Sequence, residues 1–313
     1  MAKRKIGIIG FGKIARDQHA PAIAGSPDFE LVGVSNLGTG TPPAGVPGFA
    51  TYGEMLRSLP EMEAVAICTP PGPRRLIAAE CLTAERHVLL EKPPAATVTE
   101  VGDIARRAAA AGKSAYASYH AQHNQAVKRT AELLVGKTVT TLIVTWKEDL
   151  RRWHPGQDWI MTAGGFGILD PGINALSILT RILPQPIFVA KAMLSFPANR
   201  TAPIAASLGF ATGQSSVEQL TAEFDWRETG PQTWTIDVTT SDGLALKLVD
   251  GGSQLLVEGQ PPLVGPRDEY NDIYRDFATL VAAGESDVGA QPFQLVADAF
   301  MLAERREVEA FNF

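Results

Sequence analysis

The stretch KIGIIGFGKIA at residues 5–15 decides how this chain folds. Its first five residues form a short apolar run, which is typical of a strand buried on both faces of a parallel sheet. Gly10 predicts a tight turn out of that strand, Gly12 allows a phosphate to approach the backbone, and Ala15 lets the following helix pack closely. The amides at the start of that helix suit an anionic diphosphate. A plain βα turn is the alternative, but the position between a buried strand and a helix favours a dinucleotide-binding turn.

Composition and charge limit the classes of protein to which the chain can belong. Its 313 residues allow two domains with a full core each, and 45% hydrophobic and 20% charged residues are ordinary for a globular protein. The net charge of −6 argues against nucleic acid or an anionic membrane as the main partner. No apolar run approaches the length of a membrane span, and the basic start precedes too short an apolar run for a signal peptide. We therefore expect a cytoplasmic protein.

The first 121 residues alternate between strand-like and helix-like segments. After the first strand, apolar runs predict further strands at Phe29–Ser35, Ala64–Cys68, His87–Leu90 and Ser114–Ser118. Thr97 and Glu100 have the spacing of a capping box and open a helix that ends at Gly112. This alternation predicts right-handed parallel crossovers, so residues 1–121 are expected to form a Rossmann-type, doubly wound α/β domain.

The pattern changes after about His120, where hairpin signals replace the regular alternation. Strands are predicted at Val139–Trp146, Ile187–Ser195, Ser215–Trp226, Thr233–Thr239, Leu244–Leu248 and Gln254–Val257. Asp242-Gly243 and Asp250-Gly251 are hairpin turns, and helices near Tyr270–Ala283 and Phe293–Arg305 end the chain. Residues 122–313 are therefore expected to form an α+β domain with a largely antiparallel, open sheet. Self-association would bury the second face of that sheet, which predicts a homodimer.

Residues that follow the predicted strands are the candidates for holding a nucleotide, because open α/β sheets bind ligands at the carboxyl ends of their strands. These candidates are Gly10, Gly12, Lys13, Ile14, Ser35, Asn36, Thr69, Pro70, Glu91 and Lys92. Lys92 stands between a buried strand and a prolyl turn, where it could hydrogen-bond a substrate oxygen or exchange a proton with it. A solvated loop lysine is the alternative.

A second cluster lies in the glycine-rich segment from Gly164 to Asn174. Asp170 before Pro171 is typical of a helix N-cap followed by the first helical residue, which by itself explains Asp170. Asn174 lies four residues later, so both side chains could face one site. Asn174 could equally face solvent, although its neighbours in the helix are apolar.

Aromatic and polar residues elsewhere form a looser candidate set: His120, Glu148, Trp153, His154 and Trp234. Aromatic faces combined with hydrogen-bonding groups are what a sugar site requires. For each residue alone, a core aromatic or a surface polar group is an equally good interpretation. The histidines and Glu148 have no metal-ligand spacing, so no metal is expected.

Three motifs together resemble the glucose–fructose oxidoreductase, inositol dehydrogenase and rhizopine-catabolism (Gfo/Idh/MocA) family: the GxGxxA turn, the Glu-Lys-Pro triplet and the segment that ends at Asn174. VTWKED at 144–149 and WHPGQ at 153–157 are similar to the branch of bacterial aldose 1-dehydrogenases that act on D-galactose and L-arabinose. The resemblance implies that Lys92 is the catalytic lysine and that Asp170 and Asn174 surround the reacting carbon. The sugar-contacting positions that it implies are His120, Glu148, Trp153, His154 and Trp234.

The activity that the resemblance implies is the NAD(P)-dependent oxidation of C1 of a pyranose to the aldonolactone. Many relatives have histidine where Asn174 stands; since asparagine cannot carry a proton, the base should be Lys92 or Asp170. Asn174 thus favours an aldose over the alternative of an inositol or other polyol. A second alternative is a non-catalytic sugar-sensing regulator, which should have lost Lys92. Asn36 is neither the acid that binds the ribose of NAD nor the arginine that favours NADP, so we expect either cofactor, with a slight preference for NAD.

Overall fold

The predicted parallel sheet is present in the computed structural model, which describes residues 2–36, 38, 40–213 and 219–313. The strands are β1 (Arg4–Ile9), β2 (Phe29–Ser35), β3 (Gly48–Phe49), β4 (Ala64–Ile67), β5 (His87–Glu91), β6 (Ala115–Ser118), β7 (Val139–Lys147), β8 (Ile187–Pro197), β9 (Ala205–Thr212), β10 (Gln219–Asp225), β11 (Thr233–Thr240), β12 (Ala245–Val249), β13 (Gln254–Val257), β14 (Leu263–Val264) and β15 (Glu304–Val308).

Helices occupy most of the connections in the first half and fewer in the second. They are α1 (Ala20–Gly25), α2 (Tyr52–Ser58), α3 (Pro71–Thr83), α4 (Val98–Ala111), α5 (Gln125–Leu134), α6 (Leu150–Trp153), α7 (Leu169–Ile182), α8 (Glu269–Ala283) and α9 (Ala290–Leu302). A π-helical turn, Ala15–His19, leads into α1. The predicted capping box opens α4: the Glu100 N–H donates to Thr97 Oγ1 at 3.2 Å, and Glu100 Oε2 accepts the Ala96 N–H at 3.0 Å.

The first sheet has the order β3-β2-β1-β4-β5-β6 in the described part of the chain, with parallel pairing throughout. This is the strand order of a Rossmann fold, as the alternation predicts. The carboxyl ends of β1 and β4, its two central neighbours, therefore carry the glycine turn and Thr69 at the same edge. The predicted α/β fold class is confirmed.

The second sheet has the order β14-β13-β12-β11-β7-β10-β9-β8-β15 among the described residues. Its pairs are antiparallel except for β7 with β10 and β8 with β15. Both hairpin signals join neighbouring antiparallel strands, at β11–β12 and β12–β13. The sheet is therefore mixed and mostly antiparallel, in agreement with the prediction.

Three strands of this sheet, β9, β14 and β15, were not expected from the sequence, and a fourth is only partly described. Strand β9 is rich in alanine and glycine, which have low strand propensity. Strand β15 lies where the helix was predicted to run to Arg305; the helix ends at Leu302, and the chain then pairs with β8. The predicted strand Ser215–Trp226 begins outside the described residues, and its described part is β10.

The chain divides into two compact units that do not follow a single boundary. One unit contains the chain up to His120 together with Asp268–Ala290, and the other contains Ala121–Arg267 and Gln291–Phe313. Helix α8 thus belongs to the first unit, whereas the division at residue 121 would assign it to the second. The reason is packing: the fully buried Phe277 of α8 stacks on Phe29 at 5.6 Å and on Tyr116 at 6.3 Å.

Candidate active site

The glycine turn is closely packed at Gly10 and leaves space for a ligand at Gly12. Gly10 has a φ of +88°, and a Cβ at this position would lie 2.7 Å from the backbone nitrogen of Thr69. Only glycine fits there, because the turn meets the end of β4. A Cβ at Gly12 would meet nothing within 4 Å. The backbone at Gly12 is therefore open to a phosphate group.

The helical segment after the turn presents its first residues to the outside. Ala15 is fully buried, as close packing of the helix on the sheet requires. Lys13 forms an ion pair with Asp17 one turn later, and the Ile14 side chain is 38% exposed. Lys13 and Ile14 thus flank the amides at the start of the helix, where an anion would bind.

Two buried hydroxyl groups lie beside the turn. Neither Ser35 Oγ nor Thr69 Oγ1 has a hydrogen-bond partner within the described part of the chain. Buried polar atoms normally have partners, so these two fit a site that is completed by a polar ligand. Together with the open backbone at Gly12, they fit a dinucleotide. Pro70 follows and leads into α3.

Asn36 is held in one orientation at the end of β2. Its φ is +53°, and its backbone oxygen accepts the Phe11 N–H at 3.2 Å. The side-chain oxygen accepts the Tyr52 N–H at 3.1 Å, at the start of α2. The carboxamide NH2 group is thus the side-chain donor that this position offers.

Lys92 follows β5, and its backbone is anchored on both sides. The Lys92 N–H donates to Oε2 of the preceding Glu91 at 2.8 Å. Arg74, which is 4% exposed, donates from Nη1 to the backbone oxygens of Glu91 and Pro93 and from Nε to that of Thr69 at 2.7 Å. Arg74 is not among the predicted site residues. Its only signal in the sequence is its place in the first turn of the helix after β4.

Glu91 is the centre of a buried polar cluster that the sequence did not predict. Its Oε1 accepts the Tyr270 hydroxyl at 2.6 Å and lies 3.2 Å from His19 Nε2, while His19 Nδ1 lies 2.8 Å from the Tyr274 hydroxyl. Burial opposes the charge on Glu91, but the hydrogen bonds from His19 and Tyr270 lower its pKa to about 2. The His120 ring stacks on Tyr270 at 5.9 Å.

In the second unit, Glu148 lies between two indole rings. Trp226 Nε1 donates to Glu148 Oε1 at 2.9 Å, and Trp234 Nε1 donates to Oε2 at 2.7 Å. The register places Trp234 opposite Trp146, which lies two residues before Glu148. Both carboxylate oxygens therefore accept a hydrogen bond from an indole, and Glu148 is only 5% exposed.

Trp153 and His154 pack on the same pair of indoles. The Trp153 ring meets Trp234 edge to face at 5.4 Å, and the His154 ring lies 5.3 Å from Trp226. Trp153 is 41% exposed and donates from Nε1 to Gln232 at 3.2 Å. We call Glu148, Trp153, His154, Trp226 and Trp234 the aromatic wall. Trp226 is not among the predicted residues; its only signal was its place at the end of the predicted strand Ser215–Trp226.

Helix α7 carries Asp170 and Asn174, but its start differs from the prediction. The helix begins at Leu169 after Ile168, so Asp170 is its second residue and not the N-cap. The turn before it needs glycine at Gly167, where φ is +55° and a Cβ would lie 2.8 Å from the Pro203 nitrogen. Asp170 is 6% exposed and lies in the first turn of the helix. Asn174 is half-buried one turn later on the same face of the helix.

The predicted residues therefore group within each unit. The nucleotide candidates, Lys92 and His120 lie in the first unit. Asp170, Asn174 and the aromatic wall lie in the second. A polar group and an aromatic surface in the second unit suit a polyhydroxylated ring, and the open turn in the first suits a nucleotide.

Comparison with known proteins identifies the family. The profile described as an oxidoreductase family with an NAD-binding Rossmann fold (GFO_IDH_MocA) matches residues 4–119. Galactose 1-dehydrogenase of Pseudomonas fluorescens is 41% identical over 307 residues, which are 98% of this chain and 98% of that protein. The chain belongs to the Gfo/Idh/MocA oxidoreductase family. It is thus an NAD(P)-binding oxidoreductase with galactose 1-dehydrogenases among its homologues.

Solved structures of the Gfo/Idh/MocA fold extend the comparison to the whole chain. The crystal structure of D-galactose-1-dehydrogenase from Rhizobium etli is 44% identical, with a TM-score of 0.92 over 100% of this chain and 99% of that chain. The 3-ketoreductase KijD10 from Actinomadura kijaniata, in complex with NADP and TDP-benzene, has a TM-score of 0.83 at 18% identity and covers 98% of this chain and 100% of that one. KijD10 shares the fold alone. In the described residues, no helix is both long and apolar enough to cross a membrane.

Proposed function

We propose that this protein is an NAD(P)-dependent aldose 1-dehydrogenase that oxidises C1 of a pyranose, D-galactose or L-arabinose, to the aldonolactone. The aromatic wall around Glu148 carries the proposal, since it lies in a chain that is 41% identical to a galactose 1-dehydrogenase over 98% of its length. An aromatic surface with fixed polar groups suits the apolar face and the hydroxyls of a sugar ring.

In the proposed reaction, a protein base takes the proton of the C1 hydroxyl while the C1 hydrogen leaves with its electron pair. NAD(P)⁺ supplies the hydride acceptor when it is bound. Lys92 or Asp170 is the base, and Asn174 holds a sugar oxygen because an amide cannot take up a proton. The C1–O bond becomes the carbonyl of the lactone. Gly10, Gly12, Ser35, Asn36 and Thr69 would hold the nucleotide.

The remaining candidates would orient the ring. Trp153 and Trp234 offer aromatic faces, and His120 and His154 offer ring nitrogens. Both oxygens of Glu148 already accept indole hydrogen bonds, so Glu148 would act on the sugar through a remaining lone pair or by holding the wall in place. Orientation of this kind supplies a large part of the catalysis in such reactions.

The test is a screen of aldoses and inositols against both nicotinamides, read as absorbance of the reduced cofactor. We expect turnover with galactose or arabinose, and no turnover with any aldose would overturn the proposal. Turnover of an inositol alone would instead indicate a polyol dehydrogenase. Sugar binding without turnover, together with a copurifying protein, would indicate a regulator.

Replacing the proposed base tests the site itself. Lys92→Ala should lower kcat by about 100-fold or more, the usual contribution of a positioned proton acceptor, while nucleotide affinity stays within about 2-fold. Asp170→Asn should behave in the same way if Asp170 is the base. Unchanged turnover in both variants would remove these residues from the mechanism.

We propose that the enzyme accepts both cofactors, with a slight preference for NAD. The Asn36 carboxamide NH2 can donate to a ribose hydroxyl or to a 2′-phosphate, and it carries no charge that would select strongly between them. Asn36→Asp keeps the acceptor for the Tyr52 N–H and places a negative charge beside the 2′ position. It should raise the ratio of kcat/KM for NAD⁺ over NADP⁺ by about 10-fold or more, the effect of roughly 1.4 kcal/mol. An unchanged ratio would contradict the role of Asn36.

We also propose a homodimer formed through the open face of the second sheet. Helices α5 and α7 pack against this sheet, and β7 alternates buried residues with half-buried Ile143 and Thr145. Light scattering should give the mass of two chains, and Ile143→Lys should yield monomers. Val135→Lys is the control, because Val135 is 75% exposed and lies outside the sheet. A monomeric wild-type protein would overturn this proposal.

A further inference from the structure

The buried cluster around Glu91 joins three distant parts of the first unit. His19 comes from the π-helical turn after the glycine turn, Glu91 ends β5, and Tyr270 and Tyr274 come from α8. Between 0% and 6% of each of these residues is exposed. Tyr270 and Glu91 are 179 residues apart in the sequence and are joined by a hydrogen bond of 2.6 Å.

Three groups in this cluster contact one carboxylate, that of Glu91. Glu91 Oε1 faces the Tyr270 hydroxyl and His19 Nε2, and Oε2 accepts the Lys92 N–H. His19 Nδ1 lies 2.8 Å from the Tyr274 hydroxyl, so Tyr274 orients the imidazole ring. Cys68 and His120 also face the cluster. Without Tyr270 and His19, Glu91 would be a buried charge with one neutral donor, which is costly.

Stability alone does not explain why such a group is buried here. The cluster borders an apolar core that contains Phe29, Tyr116 and Phe277. Replacing a buried ion pair by well-packed apolar residues is often neutral or stabilising. The feature that an apolar side chain could not reproduce is the acceptor for the Lys92 N–H.

We propose that Tyr270 and His19 are positioning residues for Lys92, that they act through Glu91, and that Tyr274 acts one step further away by orienting His19. The bond from Lys92 N–H to Glu91 Oε2 restrains the backbone from which the lysine side chain extends. Arg74 donates hydrogen bonds to the backbone carbonyls of Glu91 and Pro93, which lie before and after Lys92. This inference rests on the proposed function, in which Lys92 acts at the reacting carbon.

The directions of the pKa shifts agree with this arrangement. Burial opposes the charge on His19, but Cys68, Tyr274 and the hydrogen-bonded Glu91 raise its pKa well above the ordinary value. Burial and the neighbouring Glu91 carboxylate raise the pKa of Tyr270, so it stays a hydroxyl donor. Glu91 therefore remains an acceptor for the Lys92 N–H at neutral pH.

The decisive variant is Tyr270→Phe, which removes a single hydroxyl group. Its matched control is Tyr119→Phe, because Tyr119 is also buried in the first unit and its hydroxyl has no hydrogen-bond partner among the described residues. Tyr274→Phe should change the Lys92 amide exchange rate and kcat by less than Tyr270→Phe and by more than Tyr119→Phe. Urea unfolding of each variant measures its free energy of unfolding and so confirms that each variant is folded under the conditions of the assay.

The first readout is exchange of the Lys92 amide hydrogen, followed by NMR on protein labelled with ¹⁵N-lysine and assigned with Lys92→Arg. We expect exchange about 10-fold faster in Tyr270→Phe, corresponding to one weakened hydrogen bond, and unchanged exchange in Tyr119→Phe. This readout does not need turnover. It therefore tests the positioning contact even if no aldose is oxidised. Absence of aldose oxidation would contradict the proposed function but not the positioning of Lys92.

The second readout separates kcat from KM. Tyr270→Phe should lower kcat by about 10-fold and leave the KM for the nucleotide within about 2-fold, because the lysine is displaced and the nucleotide turn is intact. A purely structural role would lower stability and leave both kcat and the Lys92 exchange rate at the values of Tyr119→Phe. That result would overturn the inference.

Discussion

Glu148 illustrates how burial changes the role that a residue type suggests. In the sequence it is a carboxylate after a strand, and a direct contact with a sugar is a natural expectation. In the structure it accepts hydrogen bonds from Trp226 and Trp234, so it holds the two indoles in fixed positions. Asp170 illustrates the opposite case: the structure removes its N-cap interpretation and leaves a buried carboxylate at the start of α7.

The hydrogen bond from Trp234 to Glu148 can be removed by a substitution that keeps an aromatic ring at this position. Trp234→Phe leaves one oxygen of a buried carboxylate without its donor, which should lower the free energy of unfolding by about 1–3 kcal/mol. Urea unfolding measures this, and the KM for the sugar should rise. Trp153→Phe is the control: its hydrogen bond to Gln232 is exposed, so a loss below about 1 kcal/mol is expected. Equal losses in both variants would contradict the role of Glu148.

The two glycines of the turn should fail in different ways. Gly10→Ala combines a positive φ with a Cβ that lies 2.7 Å from the Thr69 nitrogen, so it should lower the free energy of unfolding by about 2–4 kcal/mol. A Cβ at Gly12 meets no protein atom within 4 Å, so Gly12→Ala should leave stability within about 0.5 kcal/mol. Its nucleotide affinity, measured by calorimetry, should nevertheless fall. Unchanged affinity in Gly12→Ala would mean that no phosphate approaches this backbone.

Helix α8 and strand β15 show that an element's type and its place in the fold are separate questions. The periodicity near Tyr270–Ala283 predicts the helix correctly, but not the unit that it joins. Strand β15 is short and charged, and it forms because the edge of β8 offers unpaired backbone groups. In each case a partner far away in the sequence decides the outcome.

Packing of α8 can be tested with one large side chain from each of the last two helices. Phe277→Ala removes a fully buried ring from the first unit, and Phe293→Ala removes one that is 2% exposed from the second. Each should cost about 3–5 kcal/mol in the free energy of unfolding. Hydrogen exchange should accelerate in β1, β2 and β6 for Phe277→Ala only. Faster exchange of these strands in Phe293→Ala would contradict the division into units.

Stability of the whole chain should depend on pH in two adjoining windows, one set by His87 and one by Glu91. Burial, with Lys113 and Arg4 nearby, lowers the pKa of His87 from 6.5 to about 4. The unfolded chain therefore takes up this proton first, and the free energy of unfolding should fall as the pH decreases from 6.5 to about 4. The pKa of Glu91 is about 2 against an ordinary 4.5, so its contribution is present above pH 4.5 and is lost between 4.5 and 2.

The variant His87→Gln separates the two windows. Glutamine can accept the Ser114 N–H, which donates to His87 Nδ1 at 2.9 Å, but it does not titrate. Urea unfolding at a series of pH values should show that the free energy of unfolding changes less steeply between pH 6.5 and 4 in this variant. Below pH 4, where Glu91 continues to titrate, the pH dependence should be unchanged. An identical profile in wild type and variant would exclude His87 as the cause.

Much of the fold and part of the site follow from short stretches of sequence. The turn from Gly10 to Ala15, the capping box at Thr97 and the hairpins at Asp242 and Asp250 depend on neighbouring residues, and the structure has them where they were predicted. Lys92 is identified by the buried strand before it and the proline after it. Local sterics and local hydrogen bonds are sufficient for such features.

Only the tertiary structure decides which polar side chains become buried partners. Arg74 and Arg75 are adjacent and identical in type, yet only Arg74 is buried against the backbone around Lys92. Glu91 accepts a hydrogen bond from Tyr270, which is 179 residues away in the sequence, and Glu148 accepts one from Trp226, which is 78 residues away. The free energy of a buried charge depends on the donors that surround it, and chain folding brings those donors from distant segments. For this reason the sequence by itself determined the nucleotide fold and the candidate lysine, whereas tertiary packing determined how both carboxylates are held.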